Sequence, residues 1–597
     1  MTRHTHGPTI STDGRVRFEV WAPKMRSIAV RIDGREHPLR PLADGWFAAE
    51  VAGAGDGARY ALVLEDGRVR PDPASRRQPD GVHGWSQVFD AGRHAWQDGA
   101  WKGIPQDALA FYELHVGTFT DEGTLDAAAA RLPDLVDLGV TCVELMPVQP
   151  FPGARNWGYD GVAPYAVHEA YGGPAALQRF VDRAHSLGLA VCLDVVYNHL
   201  GPEGNYLAEL GPYFTNRHRT LWGDGLDYDG AAAGEVRAFM IGAAVQWIRD
   251  FHVDALRLDA THAILDDSPV HLVAELGAAA RDAGRAAGRA VHVIAENDEN
   301  DRKVLDPHPR GWGASAVWAD DLHHALHVLL TGERKAFLAD FGRPQDVARA
   351  LAEGFVYQGE RSTFRKRPHG TDVRGLAPAR FVTCVQNHDQ VGNRPRGERL
   401  SALVPFDALR PLSTLVVLGA GIPLLFMGEE YGEDRPFLYF TSHTDPALAK
   451  AVSEGRKNEF IAGGEEDVPD PQDEQTFLAS KLTHRRDGRH GALREHYRRV
   501  LALRKAHHAA IARAWPRVER EGTVFTLVRP GLVVRANLGP EPAGGLGPWG
   551  VAIEEGGGAR AQSSEGGEGD LRAQAEASGD PPHAFETAPG EGLAPGS

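Results

Sequence analysis

Cysteine is nearly missing from this chain: Cys142, Cys192 and Cys384 are the only three in 597 residues, and no two stand at metal-ligand or redox spacing. That excludes a disulfide framework and a dithiol redox centre, and it makes a reducing cytoplasm the expected setting. Long apolar runs are missing too. None approaches the roughly 18 residues that a membrane-spanning helix needs, so no membrane partner is expected. The start, Met1 to Ile10, is polar and histidine-bearing, without the apolar stretch and small-residue cleavage site of a secretory signal. Positive charge is in deficit, with 64 Lys and Arg against 81 Asp and Glu and a net charge of −17. A nucleic-acid partner needs a concentrated basic surface, so a neutral substrate is the better expectation.

What is present is the composition of a soluble globular protein, 42% apolar and 24% charged, in a chain long enough for two to four domains. The first hundred residues read as short alternating segments, Val16 to Trp21, Ile28 to Ile32, Trp46 to Val51 and Tyr60 to Leu64. Asp13-Gly14, Asp33-Gly34, Asp44-Gly45 and Asp66-Gly67 punctuate them, and Asp-Gly pairs suit hairpins. An antiparallel β-sandwich over 1–90 is expected. The Pro-, Gly- and Trp-rich stretch from Arg70 to Pro105 carries the chain onward, with a linker placed at 91–109.

From Ala110 apolar runs alternate with alanine-rich helical segments. The runs are Ala110 to Val116, Val140 to Val148, Leu189 to Tyr197, Val253 to Asp259, Val291 to Glu296, Ala316 to Asp320, Phe381 to His388 and Ile422 to Met427. Eight buried strands each followed by a helix make a (β/α)₈ TIM barrel, expected over 110–490. Polar residues close each run: Glu113 and His115, Glu144, Asp194 with Asn198 and His199, Arg257 with Asp259, Glu296, Asp320, His388 with Asp389, and Glu429 with Glu430. The C-terminal ends of the strands are the catalytic face of such barrels. The gap after the third run, 200–234, is longer than a normal loop and reads as a small subdomain walling the cleft. A C-terminal β-domain is expected over 491–597, beginning at Thr523 to Leu527 and Leu532 to Ala536; beyond about Gly556 the chain is rich in Gly, Glu and Ser, and little order is expected.

The chemistry gathers at those strand ends. Period-two alternation in Asp254-Ala255-Leu256-Arg257-Leu258-Asp259 puts Arg257 and Asp259 on one face, where the guanidinium keeps the carboxylate ionised, as a nucleophile at an anomeric carbon requires. A buried ion pair is the equally ready structural reading. The next run ends at Glu296 after apolar residues, a setting that raises a carboxyl pKa and suits a general acid. Retaining glycosidases hold such a pair roughly 5 to 5.5 Å apart, and adjacent strand ends can supply that distance. Asp389, in Asn387-His388-Asp389, is placed to grip sugar hydroxyls as the ring flattens toward an oxocarbenium ion.

Taken in order, Asp194 to His199, Arg257-Leu258-Asp259, Ala295-Glu296-Asn297 and Asn387-His388-Asp389 resemble the α-amylase superfamily of glycoside hydrolases and transglycosidases. The resemblance implies Asp259 as nucleophile, Glu296 as acid/base and Asp389 as transition-state stabiliser, with His199, Arg257 and His388 lining the sugar subsite and Tyr159 stacking on the same sugar. The N-terminal sandwich resembles the branching, debranching and trehalose-releasing members of that superfamily, and Phe111 to Thr120, Val317 to His324, Asn387 to Arg394 and Met427 to Gly432 are most similar to its trehalose-releasing branch. That branch hydrolyses the α-1,4 bond beside the terminal trehalose of malto-oligosyltrehalose, needs no cofactor, and implies a pathway link to a malto-oligosyltrehalose synthase. Trp318, Asp320, Asp321 and His323 are the candidates for trehalose recognition. A glycogen branching transferase, which shares sandwich, barrel and carboxylates, stays open as the alternative, as does a non-catalytic glucan-binding protein.

Three further features have plain readings. Trp85, Trp96 and Trp101 are expected to pack the linker rather than stack on glucan. Asp224, Asp227 and Asp229 lack the full oxygen set of a calcium site, and His323, His324 and His327 have a helical metal spacing that the barrel chemistry does not use, so no metal is expected.

Overall fold

The structure is a computed structural model that describes residues 4–220, 223–461 and 467–556. Its N-terminal part is a sandwich of two antiparallel sheets. One carries Gly7–Ile10, Val16–Trp21, Trp46–Val51 and Arg40–Pro41; the other carries Arg35–Pro38, Ile28–Ile32, Arg59–Leu64 and Val69–Arg70, with Ser86–Gln87 beside Arg59–Leu64. Phe18 and Tyr60 meet between them at a ring separation of 4.9 Å. The Asp33-Gly34 hairpin works as its residues suggest. Both have positive φ, 47° and 78°, which is the two-residue turn whose twist matches the strands it joins, and Ile32 pairs directly with Arg35.

The eight apolar runs become eight parallel strands of a closed barrel: Phe111–Leu114, Cys142–Leu145, Ala190–Val195, Ala255–Leu258, His292–Ala295, Ala316–Trp318, Phe381–Cys384 and Ile422–Phe426. We refer to them as barrel strands one to eight. Each strand is shorter than its run, because the polar residues at the end leave the ladder and turn into the loops above. Glu113, Glu144, Asp194 and Arg257 are exceptions, lying within strands one to four. The segment after strand three holds a short helix, Leu207–Leu210, and a hairpin, Phe214–Thr220 with Gly223–Leu226. Asp224, Asp227 and Asp229 go to separate partners there: Arg219, the Gly230 amide, and His218 with Arg217.

The linker is fastened to the other end of the barrel by buried charge. His185 bridges Asp98 and Asp254 at 2.8 and 2.9 Å, and Trp101 lies flat on the His185 ring while donating its indole N–H to Asp254 at 2.8 Å. Trp96 stacks on His252 at 3.7 Å. These indoles are therefore faced with protein, consistent with their packing role.

At the C-terminal end, helix Gly488–Arg513 lies against the barrel, with Tyr497 donating to Glu429 and Arg504 to the Val417 and Gly421 carbonyls. Position 491 falls inside this helix. The sheet that follows has four antiparallel strands, Arg517–Glu521, Val524–Arg529, Leu532–Asn537 and Val551–Glu555, so two strands flank the pair visible in the sequence. The tail from 557 lies outside the described residues. Among the described residues, no helix is long and apolar enough to cross a membrane.

Replacing Trp101 by Phe keeps the stacked ring but strips a donor from buried Asp254. We expect a loss of about 1–3 kcal/mol in chemical denaturation with turnover unchanged; an equal fall in activity would show that the barrel's lower end reaches the reaction.

Candidate active site

At the upper end of the barrel one guanidinium joins three carboxyl groups. Arg257, the third residue of strand four, is fully buried. Its Nη1 donates to both oxygens of Asp194 at 2.9 and 2.8 Å and to Asp259 Oδ1 at 2.8 Å, and its Nη2 donates to Glu296 Oε2 at 2.8 Å. The guanidinium also lies 4.2 Å above the Trp318 ring. The alternation that put Arg257 and Asp259 on one face is thus realised as a direct contact, and strands three and five supply its other two partners.

Asp259 and Glu296 are driven in opposite directions. Burial favours the neutral form of both. At Asp259 this is outweighed by the charge of Arg257, by His199, and by an Asn198 side-chain N–H donated at 2.7 Å, and the carboxyl is held below its usual range. At Glu296 burial prevails with help from the negative Asp259 and Asp389, against Arg257 and the Ala260 amide, and the carboxyl is pushed well up. That amide reaches Glu296 Oε2 at 2.7 Å because Ala260 takes a left-handed turn, φ 39° and ψ 54°, which costs a non-glycine residue about 1–2 kcal/mol. Two carboxyl groups driven toward opposite protonation states thus meet on one guanidinium, the kind of pair that retaining glycoside cleavage needs.

Tyr159 and His388 complete the floor. Gly158 has φ 108°, and a Cβ there would lie 2.2 Å from the Pro147 carbonyl oxygen, so only glycine lets the chain pass and deliver Tyr159. The Tyr159 hydroxyl lies 2.6 Å from Asp194 Oδ2 and 2.7 Å from His388 Nε2, and its ring is stacked on the imidazole. Burial would lower the His388 pKa, but Asp389 and Glu113 outweigh it and raise it to about 10. Asp389 stands in the first turn of helix His388–Gly392, accepting from Asn393 at 3.1 Å and a third exposed. His199 lies beside the Tyr159 carbonyl at 3.1 Å. Asp259, Glu296, Asp389, Tyr159, His199, Arg257 and His388 are thus brought together.

Of the four candidates at the end of strand six, Trp318, Asp320 and Asp321 line a narrow recess with Asn297, Asp298, Phe337 and Arg365. Burial with the charges of Asp389 and Asp321 pushes the Asp320 carboxyl up to about 7. Trp318 is buried beneath Arg257. Asp321 faces inward, one oxygen accepting from Asn300, Val356 and Tyr357, and His323 meets the Val385 carbonyl at 2.5 Å. The helix that begins at Asp321 turns the Asp321 and His323 side chains inward, so both have polar atoms engaged by the surrounding loops. Phe337 and Phe364, 41% and 49% exposed with rings 6.3 Å apart, stand by the recess, and Arg365 is tied to Asp298 at 2.9 Å. No periodicity in the sequence marks these residues. Asn297 also borders a second recess of about 600 Å³, between the 214–226 hairpin and the loops holding His262 and Trp312.

Exchanging Glu296 for Gln should lower kcat by ~10²–10⁴-fold and abolish the alkaline limb of the pH profile, since the raised carboxyl must be protonated to act as acid and loses its proton as pH rises. Asp259→Asn should lose nearly all activity yet melt like the wild type. Wild-type-like turnover in either variant contradicts these roles.

Residues 85–222 match the family model described as alpha amylase, catalytic domain. The malto-oligosyltrehalose trehalohydrolase of Rhizobium sp. (strain M-11) is 45% identical over 507 residues, 83% of this chain and 85% of that protein. The crystal structure of a putative alpha amylase from Salmonella typhimurium superposes with a TM-score of 0.86 at 40% identity, covering 92% of this chain and 99% of that one. A 1,4-alpha-glucan branching enzyme from Ralstonia nicotianae, by contrast, matches only 42% of this chain and 36% of its own length, at 35% identity.

Proposed function

The chain belongs to the malto-oligosyltrehalose trehalohydrolase family of α-amylase-type glycoside hydrolases, and on that premise we propose the roles of its residues in releasing trehalose from malto-oligosyltrehalose. Asp259 attacks the anomeric carbon of the glucose next to the trehalose unit, forming a C–O bond to its carboxylate. Glu296 gives its proton to the glycosidic oxygen as the α-1,4 bond breaks, so trehalose leaves with that oxygen as a hydroxyl. Glu296, now ionised, takes a proton from water, whose oxygen displaces Asp259 from the same carbon. Two inversions leave the shortened malto-oligosaccharide with its α configuration. Asp389 holds hydroxyls of the flattened ring, and Tyr159, His199, Arg257 and His388 form its subsite. The pairing of an ionised Asp259 with a protonated Glu296 on one guanidinium carries this reading.

For the leaving trehalose we assign the wall that continues from the loop of the acid: Asp298, Asp320, Phe337, Phe364 and Arg365. A carboxyl that titrates near neutrality can donate to or accept from a sugar hydroxyl, and exposed rings stack on the apolar face of a pyranose. Trp318, Asp321 and His323 support this wall. The proposed compartment is the cytoplasm, where three free thiols stay reduced, and the proposed pathway neighbour is the synthase that makes malto-oligosyltrehalose.

The product decides between hydrolase and transferase. Incubation with malto-oligosyltrehalose should yield free trehalose and a shorter glucan, whereas branched or lengthened chains from amylose would indicate transfer. Phe364→Ala should reduce kcat/KM on malto-oligosyltrehalose on the order of tenfold, the worth of about 1.4 kcal/mol, while sparing plain malto-oligosaccharide. Equal loss on both substrates would remove this wall from trehalose recognition.

A further inference from the structure

Glu113 lies in the third position of barrel strand one and is buried to 1% exposure, among residues of the barrel core. Its carboxylate is spent on a single residue. Oε2 accepts the backbone N–H of His388 at 3.0 Å, and Oε1 stands 2.5 Å from the ring Nδ1 of the same histidine. One carboxylate thus fixes both the entry of helix His388–Gly392 and the orientation of the imidazole. It stands at the opposite ring nitrogen from the subsite, since Nε2 is the atom beside Tyr159 and, at 3.5 Å, Asp389.

The consequence runs through a chain of short contacts. A carboxylate at Nδ1 keeps a proton there, and a ring held as imidazolium has to donate through Nε2 as well. Nε2–H then donates to the Tyr159 hydroxyl, which passes its own proton toward Asp194 Oδ2, and Asp194 accepts from Arg257. The direction of the His388–Tyr159 link is thus set by the carboxylate of Glu113, while the Arg257–Asp194 bonds are fixed by a guanidinium that can only donate. We propose that Glu113 is a positioning residue for the reaction: it sets His388 as a charge-assisted donor aimed into the subsite of the reacting sugar, and through it orients Tyr159. This rests on placing His388 in that subsite.

The other groups around the ring do not supply the same effect. Asp389 favours the imidazolium, but it is a third exposed and placed to meet substrate. Arg257 opposes a positive ring, and buried His115, its pKa lowered to about 3, adds no charge. Glu144, on strand two, has both oxygens buried without a hydrogen-bond partner and is pushed well up by burial, then by Glu113 and Asp194, so it is neutral. Asp194 is turned to Arg257, and Tyr159 is a neutral phenol, its pKa raised by burial.

The test is the pH dependence of Glu113→Gln and Glu113→Asp on α-maltosyl fluoride, whose leaving group needs no proton from Glu296. Removing the charge lowers the His388 pKa, so the protonated ring is lost at lower pH. In Glu113→Gln we expect kcat to fall off about one pH unit or more below the wild-type limb, with KM little changed, and Glu113→Asp to restore the limb in part. Histidine NMR on ¹⁵N-labelled full-length protein, with His388 assigned by its loss in His388→Gln, should show the same downward move. A loss that is uniform in pH, with the His388 titration unmoved, would leave Glu113 a mere packing residue and overturn the proposal. The NMR measurement does not depend on turnover, so it distinguishes failure here from failure of the trehalose assignment.

Discussion

The arrangement depends on one buried cation. A guanidinium with no access to water is tolerable only when its charge is answered in good geometry, and Arg257 is answered by the carboxylates of Asp194 and Asp259 while its other arm donates to Glu296, at the ends of three different strands. Those contacts do structural and chemical work at once. They hold strands three, four and five in register at their upper ends, and they place two carboxyl groups on either arm of one rigid, planar fork. Trp318 closes the underside, so the fork cannot tilt without losing its aromatic contact.

Charge balance then assigns protonation. Glu113, Glu144, Asp194, Asp259, Glu296 and Asp389 crowd this end of the barrel, against the cations Arg257 and His388. They cannot all ionise. Burial pushes Glu144, which has no hydrogen-bond partner, and Glu296, which has two negative neighbours, toward the neutral form, while Arg257, His199 and Asn198 hold Asp259 toward the charged one. The proposed acid and the proposed nucleophile need no intrinsic difference. Their environments separate them, as expected where one fold must hold an acid and a base at the same pH.

The two ends of the barrel use buried charge differently. Below, Asp98, His185, Asp254 and the indole of Trp101 satisfy one another and are sealed by the linker, so their interaction goes into holding segments together. Above, the groups are left partly open: Glu296 keeps about a fifth of its side chain exposed and Asp389 a third, which is what a substrate requires. This division follows the rule that strand C-terminal ends carry function and N-terminal ends stability.

By itself the amino-acid sequence determined the eight barrel strands, the sandwich hairpins and the carboxylates proposed to carry the reaction. Each depends on local regularity: apolar runs of strand length, Asp-Gly turns, and polar residues placed by period-two alternation, as with Arg257 and Asp259. The tertiary structure alone decided which way the irregular loops face. Asp320 and Asp321 are adjacent in the chain and both border the recess, yet only Asp321 has an oxygen taken up by the backbone amides of Val356 and Tyr357. Phe364 and Arg365 reach the acid's loop from a stretch with no strand or helix around them. Glu113 is visible in the sequence as a charge in an apolar run, but its partner His388 is 275 residues away. Only closure of the barrel, which seats strand one beside strand eight, brings the two within a hydrogen bond.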